Sequence, residues 1–244
     1  MREHRENDIK VRESSIDQAS PASVSVAMTE VLQQSELIYS AADVQSAISQ
    51  MAEKITICLR DQNPLVLCVM NGGAFLTQQL TLQLKFPLEM DYLHASRYRG
   101  QTTGGTLDWV AKPKASLEGR VVLLVDDILD EGYTLVAVRE YLKSCELSAL
   151  YTAVLVNKKH SRKAEPDWLP DFVGLEVEDR YVFGCGMDYK KHWRHLPEIY
   201  AVKETVEEFA VREYEALKEL GARGAPSVSQ IAIVNGRISP DGEE

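Results

Sequence analysis

The sequence predicts an α/β fold, an open and mostly parallel twisted sheet flanked by helices. Twice, an unbroken apolar run leads through a glycine-containing turn into apolar residues at helical spacing. Residues 65–70 (LVLCVM) pass through Asn71-Gly72-Gly73 to Leu76, Leu80 and Leu84. Residues 121–125 (VVLLV) pass through an acidic step and the turn 130–134 to Leu135, Val138 and Leu142. A strand that is apolar at every position is buried on both faces, as helices on both sides of a parallel sheet require. The length agrees: 244 residues with 45% hydrophobic content supply one sizeable core or two small ones.

Taken in order, residues 1–24 are polar, charged and serine-rich, and read as disordered. Ser40-Ala41-Ala42-Asp43 caps a helix over about 41–60, where Val44, Ile48, Met51, Ile55 and Leu59 repeat every three or four residues. Asp61-Gln62-Asn63-Pro64 ends it. The strand at 65–70, the turn at 71–73 and a helix over 74–84 follow. Two glycines at the end of a buried strand let the backbone approach a ligand closely. Residues 87–95 form a third strand, with Leu88, Met90 and Tyr92 alternating and Pro87 at its start or edge. Residues 96–105 hold three glycines and few apolar side chains, the composition of a lid loop. After the 120–142 segment, residues 147–156 are a strand that ends in Asn157-Lys158-Lys159-His160-Ser161-Arg162, and residues 171–177 are another. Residues 203–222 are an amphipathic helix ended by Gly221, and 231–238 contains an Asn235-Gly236 turn.

The net charge of −10 argues against a reader of nucleic-acid backbone or a membrane-surface protein. An anionic substrate must then be held locally, by backbone N–H groups, a few Lys and Arg, and Mg²⁺. The four cysteines (Cys58, Cys68, Cys145, Cys185) show no C-x-x-C spacing and read as reduced core residues of a cytoplasmic protein. No apolar run approaches 18 residues and the charged N-terminus holds no hydrophobic signal region, so no targeting or membrane segment is expected.

The chemistry concentrates in RVVLLVDDILDEGYTLVAVREYL, residues 120–142. Ligands of open parallel sheets bind beyond the carboxyl ends of strands, and a helix N-terminus facing that crevice binds anions. A phosphate fits the turn Asp130-Glu131-Gly132-Tyr133-Thr134, held by backbone N–H groups and the Thr134 hydroxyl. Asp126 and Asp127 stand one step earlier and suit hydroxyls or a divalent cation.

The stretch VVLLVDDILDEGYTL resembles the phosphoribosyl diphosphate (PRPP) motif of the type I phosphoribosyltransferases, through the strand, both acids, the Gly and the Thr. The resemblance implies that family's fold with a small hood, and its hypoxanthine-guanine branch. It places Asp126 and Asp127 at the ribose 2′- and 3′-hydroxyls, the 130–134 turn at the 5′-phosphate, and Asp130 as the acid/base opposite purine N7. Glu131 then sits in the phosphate turn with its side chain pointing away. Asn71, Gly72 and Gly73 become the pyrophosphate loop, with a cis peptide expected at Met70-Asn71; some relatives carry Lys where Asn71 stands. Ser96 and Tyr98 become the start of the lid, which shields an oxocarbenium-like centre from water. Lys158 becomes the donor to a purine 6-oxo group, which favours 6-oxo over 6-amino purines because an ammonium has no acceptor. The segment 179–194 resembles the hood: Tyr181 stacks on the base, Val182 offers backbone groups to its 2-position edge, Asp188 reaches Mg²⁺ through water, and Arg194 contacts pyrophosphate.

The resemblance covers about 35–202, leaving 1–34 as a polar N-terminal extension and 203–244 as an additional helix and tail. It implies transfer of a 5-phosphoribosyl group from PRPP to hypoxanthine or guanine, and a homo-oligomer, dimer or tetramer. Two alternatives stay open: the same fold acting on xanthine or another base, and a non-catalytic PRPP-sensing regulator. An unrelated doubly wound nucleotide binder lacks its signature here, since neither G-x-G-x-x-G nor G-x-x-x-x-G-K-[ST] occurs.

Overall fold

The alternation of side chains along β5 (Val121–Leu129) explains the central sheet. Leu123 and Val125 join one buried cluster with Val44, Ile48 and Met51, while Val122 and Leu124 join a second with Leu135, Val138 and Leu142. Each face of the strand therefore has its own helix cover, which is why the run is apolar throughout. The computed structural model describes residues 20–97 and 107–203. The expected lid residue Tyr98, most of the 203–222 helix and the 231–238 turn lie outside the described residues.

The chain begins with α1 (Pro21–Gln34), where Ser20 caps and Pro21 occupies the first turn. The serine-rich composition concealed this helix, part of which falls in the stretch read as disordered. β1 (Glu36–Tyr39) follows, and then α2 (Ala41–Leu59), opened by the expected capping box: Ser40 Oγ accepts from Asp43 N–H and Asp43 accepts from Ser40 N–H. Next come β2 (Leu65–Val69), α3 (Ala74–Thr81), β3 (Glu89–Arg97) and β4 (Leu107–Ala111). After β5 come α4 (Tyr133–Lys143), β6 (Ala149–Lys159), β7 (Phe172–Glu178), β8 (Val182–Phe183) and β9 (Ile199–Ala201).

The main sheet has the order β4-β3-β2-β5-β6-β7; only the β3–β4 pair is antiparallel. A second sheet, β1-β9-β8, is antiparallel throughout and forms the hood. Its β1 comes from the N-terminal side of α2, so the hood is built from both ends of the described chain. Trp193 Nε1–H donates to the Met28 carbonyl and ties α1 to the hood loop.

Three expectations change. β5 does not stop at Val125 but runs through both aspartates to Leu129, because β6 continues to pair with it as far as Leu129↔Asn157. The alternating residues of β3 face outward, with Met90 55% and Tyr92 46% exposed, while Leu93 and Ala95 on the other face are buried. Among the cysteines, Cys68 and Cys185 are buried, but Cys58 is exposed. Of the described helices, none is long and apolar enough to cross a membrane.

Candidate active site

β2, β5 and β6 are neighbours and parallel, so their carboxyl ends lie side by side. A cavity of about 510 Å³ opens there, between these ends and the hood. It is lined by Asn71, Gly72, Asp126, Asp127, Asp130, Thr134, Lys158, Tyr181, Val182, Asp188 and Arg194 from the expected residues. Val69, Met70, Ala95, Ile128 and Met187 complete the wall. Gly73, Glu131, Gly132 and Tyr133 do not line it. Ser96 belongs to β3, and its side chain is not among those described. A larger cavity, about 690 Å³, lies between α1 and residues 191–195, but no carboxylate lines it. The smaller one holds the carboxylates Asp126, Asp127, Asp130 and Asp188.

The loop after β2 carries the expected cis peptide at Met70-Asn71. Its Gly72 packs directly on Asp127: a Cβ at position 72 would fall on that carboxylate. Gly186 of the hood in turn packs on the Gly72 carbonyl. Loop, acid pair and hood therefore meet with only hydrogens between them.

Asp126 and Asp127 sit at the end of β5. Burial, with the neighbouring Asp127 charge added, pushes the Asp126 pKa well above its ordinary value. Burial also raises Asp127, opposed by a hydrogen bond from Asp126 and by the Arg194 guanidinium, 3.8 Å away. Two adjacent carboxylates this starved of cations favour binding a positive charge or a hydroxyl proton. Among the described residues no group of three or more His, Cys, Asp or Glu converges as a metal site. The pair by itself offers carboxylate oxygens, the donor type that suits a hard divalent cation. Asp188 keeps to Arg194 Nη2 at 2.6 Å and to Lys191 N–H at 2.6 Å.

A stability consequence follows for the ligand-free protein. A group whose folded pKa is raised destabilises the fold at pH above its unfolded value, and the penalty disappears as pH falls below that value. Asp126→Asn should therefore raise thermal stability at neutral pH by about 1–2 kcal/mol, in the range of relieved active-site strain. The gain should vanish near pH 3–4. Melting curves across pH, without ligand, check both the sign and the trend.

The turn after β5 leads into α4 through Gly132, at φ 82° and without a side-chain cap. A helix start of this kind turns the positive end of its dipole toward an anion. The Glu131 side chain leans toward Arg162, 3.9 Å away. Arg162 itself is held by Asp179 at 2.8 Å.

Asp130 is held by two donors: Lys158 Nζ at 2.6 Å on Oδ2 and His160 Nε2 at 2.8 Å on Oδ1. Burial alone would raise its pKa, but the His160 hydrogen bond and the Lys158 charge outweigh it and hold the carboxyl well below the usual range. Lys163 Nζ donates to the Leu129 and Asp130 carbonyls, at 2.7 and 2.9 Å, and to Asn157 Oδ1. His160 and Lys163 were not singled out from sequence, where they look like a solvated basic run. Lys159 is exposed and pairs with Glu176. On the hood, Tyr181 is 47% exposed, packs edge-on against Tyr189 with centroids 5.5 Å apart, and donates to the Asp188 carbonyl. Arg194 Nη1 donates to the Gly186 carbonyl at 2.6 Å.

Comparison with known proteins agrees with this geometry. Residues 34–191 match the phosphoribosyl transferase domain family. A hypoxanthine-guanine-xanthine phosphoribosyltransferase of Tritrichomonas foetus is 35% identical over 170 residues, covering 70% of this chain and 92% of that protein. A hypoxanthine-guanine phosphoribosyltransferase of Aquifex aeolicus is 32% identical, covering 69% and 95%. Among solved structures, a hypoxanthine phosphoribosyltransferase of Staphylococcus aureus superposes with a TM-score of 0.64 at 28% identity, covering 69% of this chain and 91% of that one. With most of the chain matched and the sheet, hood and carboxyl-end cavity in place, the chain belongs to the phosphoribosyl transferase domain family.

Proposed function

We propose that this chain transfers the 5-phosphoribosyl group of PRPP to N9 of hypoxanthine or guanine, giving IMP or GMP and pyrophosphate in cytoplasmic purine salvage, as a homo-oligomer. The observation that carries the reading is one cavity holding both halves of the chemistry. The Asp126-Asp127 pair and Thr134 lie on its β5–α4 wall, and Lys158, Asp130 and Tyr181 lie together on its walls as well. The relatives named for hypoxanthine and guanine support the choice of base.

In this reading the ribose hydroxyls meet Asp126 and Asp127, and the 5′-phosphate takes the turn that opens α4, with Thr134. The pyrophosphate meets the Asn71–Gly73 backbone and Arg194. Asp126 and Asp127, with Asp188 through water, would hold Mg²⁺, which when bound neutralises charge on the leaving pyrophosphate. Tyr181 offers its ring to the base, and Val182 its backbone to the 2-position edge. Lys158 leaves Asp130 and donates to the 6-oxo group. Asp130 then accepts the N7–H, which selects the base tautomer whose N9 lone pair is free. As the N9–C1′ bond forms, the C1′–O bond breaks, its electron pair leaves on pyrophosphate, and the N7 proton passes to Asp130. A 6-amino purine would set its N–H₂ against the Lys158 ammonium and leave both unpaired.

A second reading adds xanthine to the substrates, since a relative at 35% identity is named for all three bases. Pyrophosphate release from PRPP and Mg²⁺ should be measured with hypoxanthine, guanine, xanthine, adenine and orotate. Turnover with the first two and none with adenine is expected, and xanthine turnover decides the second reading. PRPP binding without turnover of any base would instead make the chain a sensor and overturn the transferase reading.

A further inference from the structure

Asp130 is the group through which the proposed chemistry passes, and His160 reaches it from outside the cavity wall. The His160 side chain is 3% exposed and does not line the cavity. Its Nδ1 accepts the Arg162 backbone N–H at 3.1 Å, so a neutral ring carries its proton on Nε2. That Nε2–H points at Asp130 Oδ1, 2.8 Å away, while Lys158 occupies Oδ2. A doubly protonated ring would set Nδ1–H against the Arg162 N–H and forfeit that bond. The backbone beneath is fixed as well. Lys163 Nζ donates to the Leu129 and Asp130 carbonyls, and Ala164 N–H donates to the Glu131 carbonyl at 2.8 Å. The remaining charges on these elements are Arg162, paired with Asp179 and near Glu131, and Lys159, paired with Glu176.

We infer that His160 is a positioning residue for the transfer reaction: as a neutral Nε2–H donor it holds Asp130 Oδ1, so that Oδ2 is the oxygen presented to the purine N7 once Lys158 turns to the 6-oxo group. The inference rests on the function proposed above. A neutral donor suits the task because it orients the carboxylate without cancelling its charge. When Lys158 departs, Asp130 recovers the proton affinity needed to take the N7 proton. A second ammonium in place of His160 would keep that affinity low.

Two measurements test this. In the first, His160→Phe should lower kcat with hypoxanthine by roughly 10- to 100-fold, the effect of losing a hydrogen bond to a charged group. KM for PRPP should stay unchanged, and His160→Gln, whose amide can donate, should restore most of the rate. A Phe variant with near-parental kcat, or a Gln variant as slow as the Phe variant, overturns the inference. In the second, long-range ¹H–¹⁵N spectra of histidine-labelled protein are recorded, with the resonance assigned by its loss in His160→Gln. The neutral Nε2–H tautomer is expected, with a clear shift in Asp130→Ala; an Nδ1–H or doubly protonated ring overturns the inference. This second readout needs no turnover. If the parent transfers phosphoribosyl to no base, the proposed function fails, while the tautomer still decides whether His160 holds Asp130.

Discussion

Replacing Asp130 by Asn is expected to lower turnover with hypoxanthine by about 10²- to 10⁴-fold, the contribution of a positioned acid/base group. KM for PRPP should move little, because the ribose and phosphate sites lie at Asp126, Asp127 and the start of α4. The amide fails twice. It cannot take the N7 proton, and it has one oxygen where the carboxylate offers two. Lys158 and His160 both donate to Asp130, so in the variant one of them must face an N–H₂ group. The fold should also register the change. A carboxyl whose folded pKa is depressed contributes stability that is present above its unfolded pKa and is lost as pH falls through the folded one. The folded value here lies well below the usual range, so the melting difference between parent and variant should hold from about pH 8 to about pH 5 and shrink only in stronger acid. Steady-state kinetics and melting curves check both expectations. Near-parental turnover would remove Asp130 from the chemistry.

What could be read from the chain beforehand divides along a physical line. Local signals carried far: the apolar run of β5, the Ser40–Asp43 box of α2, and the glycines after β2 each announce themselves within a few residues. Features that depend on a distant partner did not. β1 is four residues long and belongs to the hood only because Glu36 pairs with Ala201, across most of the described chain. The strand continuing through Asp126 and Asp127 looks like a strand end in sequence, since its pairing is supplied by β6. His160 and Lys163 sit in a stretch, Lys158 to Lys163, whose composition suits solvent. What buries them is the turn beyond β5, which needs donors for its carbonyls and for Asp130. Buried polar residues that serve another element's unpaired groups leave no periodicity of their own.

Gly72→Ala is the second replacement expected to act strongly, by a different route. Nothing chemical is removed; one methyl group is added where three parts of the site converge. The new Cβ falls on the Asp127 carboxylate, while the Gly72 carbonyl is already in contact with Gly186. Neither neighbour has a free way out. Asp127 is 8% exposed and its Oδ1 accepts the Ile128 N–H, and Gly186 is fixed by its N–H to the Arg194 carbonyl. The strain must therefore move the loop, the acid or the hood, at about 1–3 kcal/mol for an overfilled core position. Because the proposed pyrophosphate contacts are backbone groups of this loop, a small displacement of the loop weakens them directly. KM for PRPP should rise by about 10- to 100-fold, with the thermal midpoint lowered in the same protein. Gly186→Ala, which adds its methyl group from the hood side at φ 106°, should reproduce the loss of stability. If Gly72→Ala lowers the midpoint but leaves KM for PRPP at the parental value, the loop is a packing element and the pyrophosphate contacts lie elsewhere. If KM rises while the midpoint holds, the loop itself has yielded, and its backbone is the part of the site that PRPP reads.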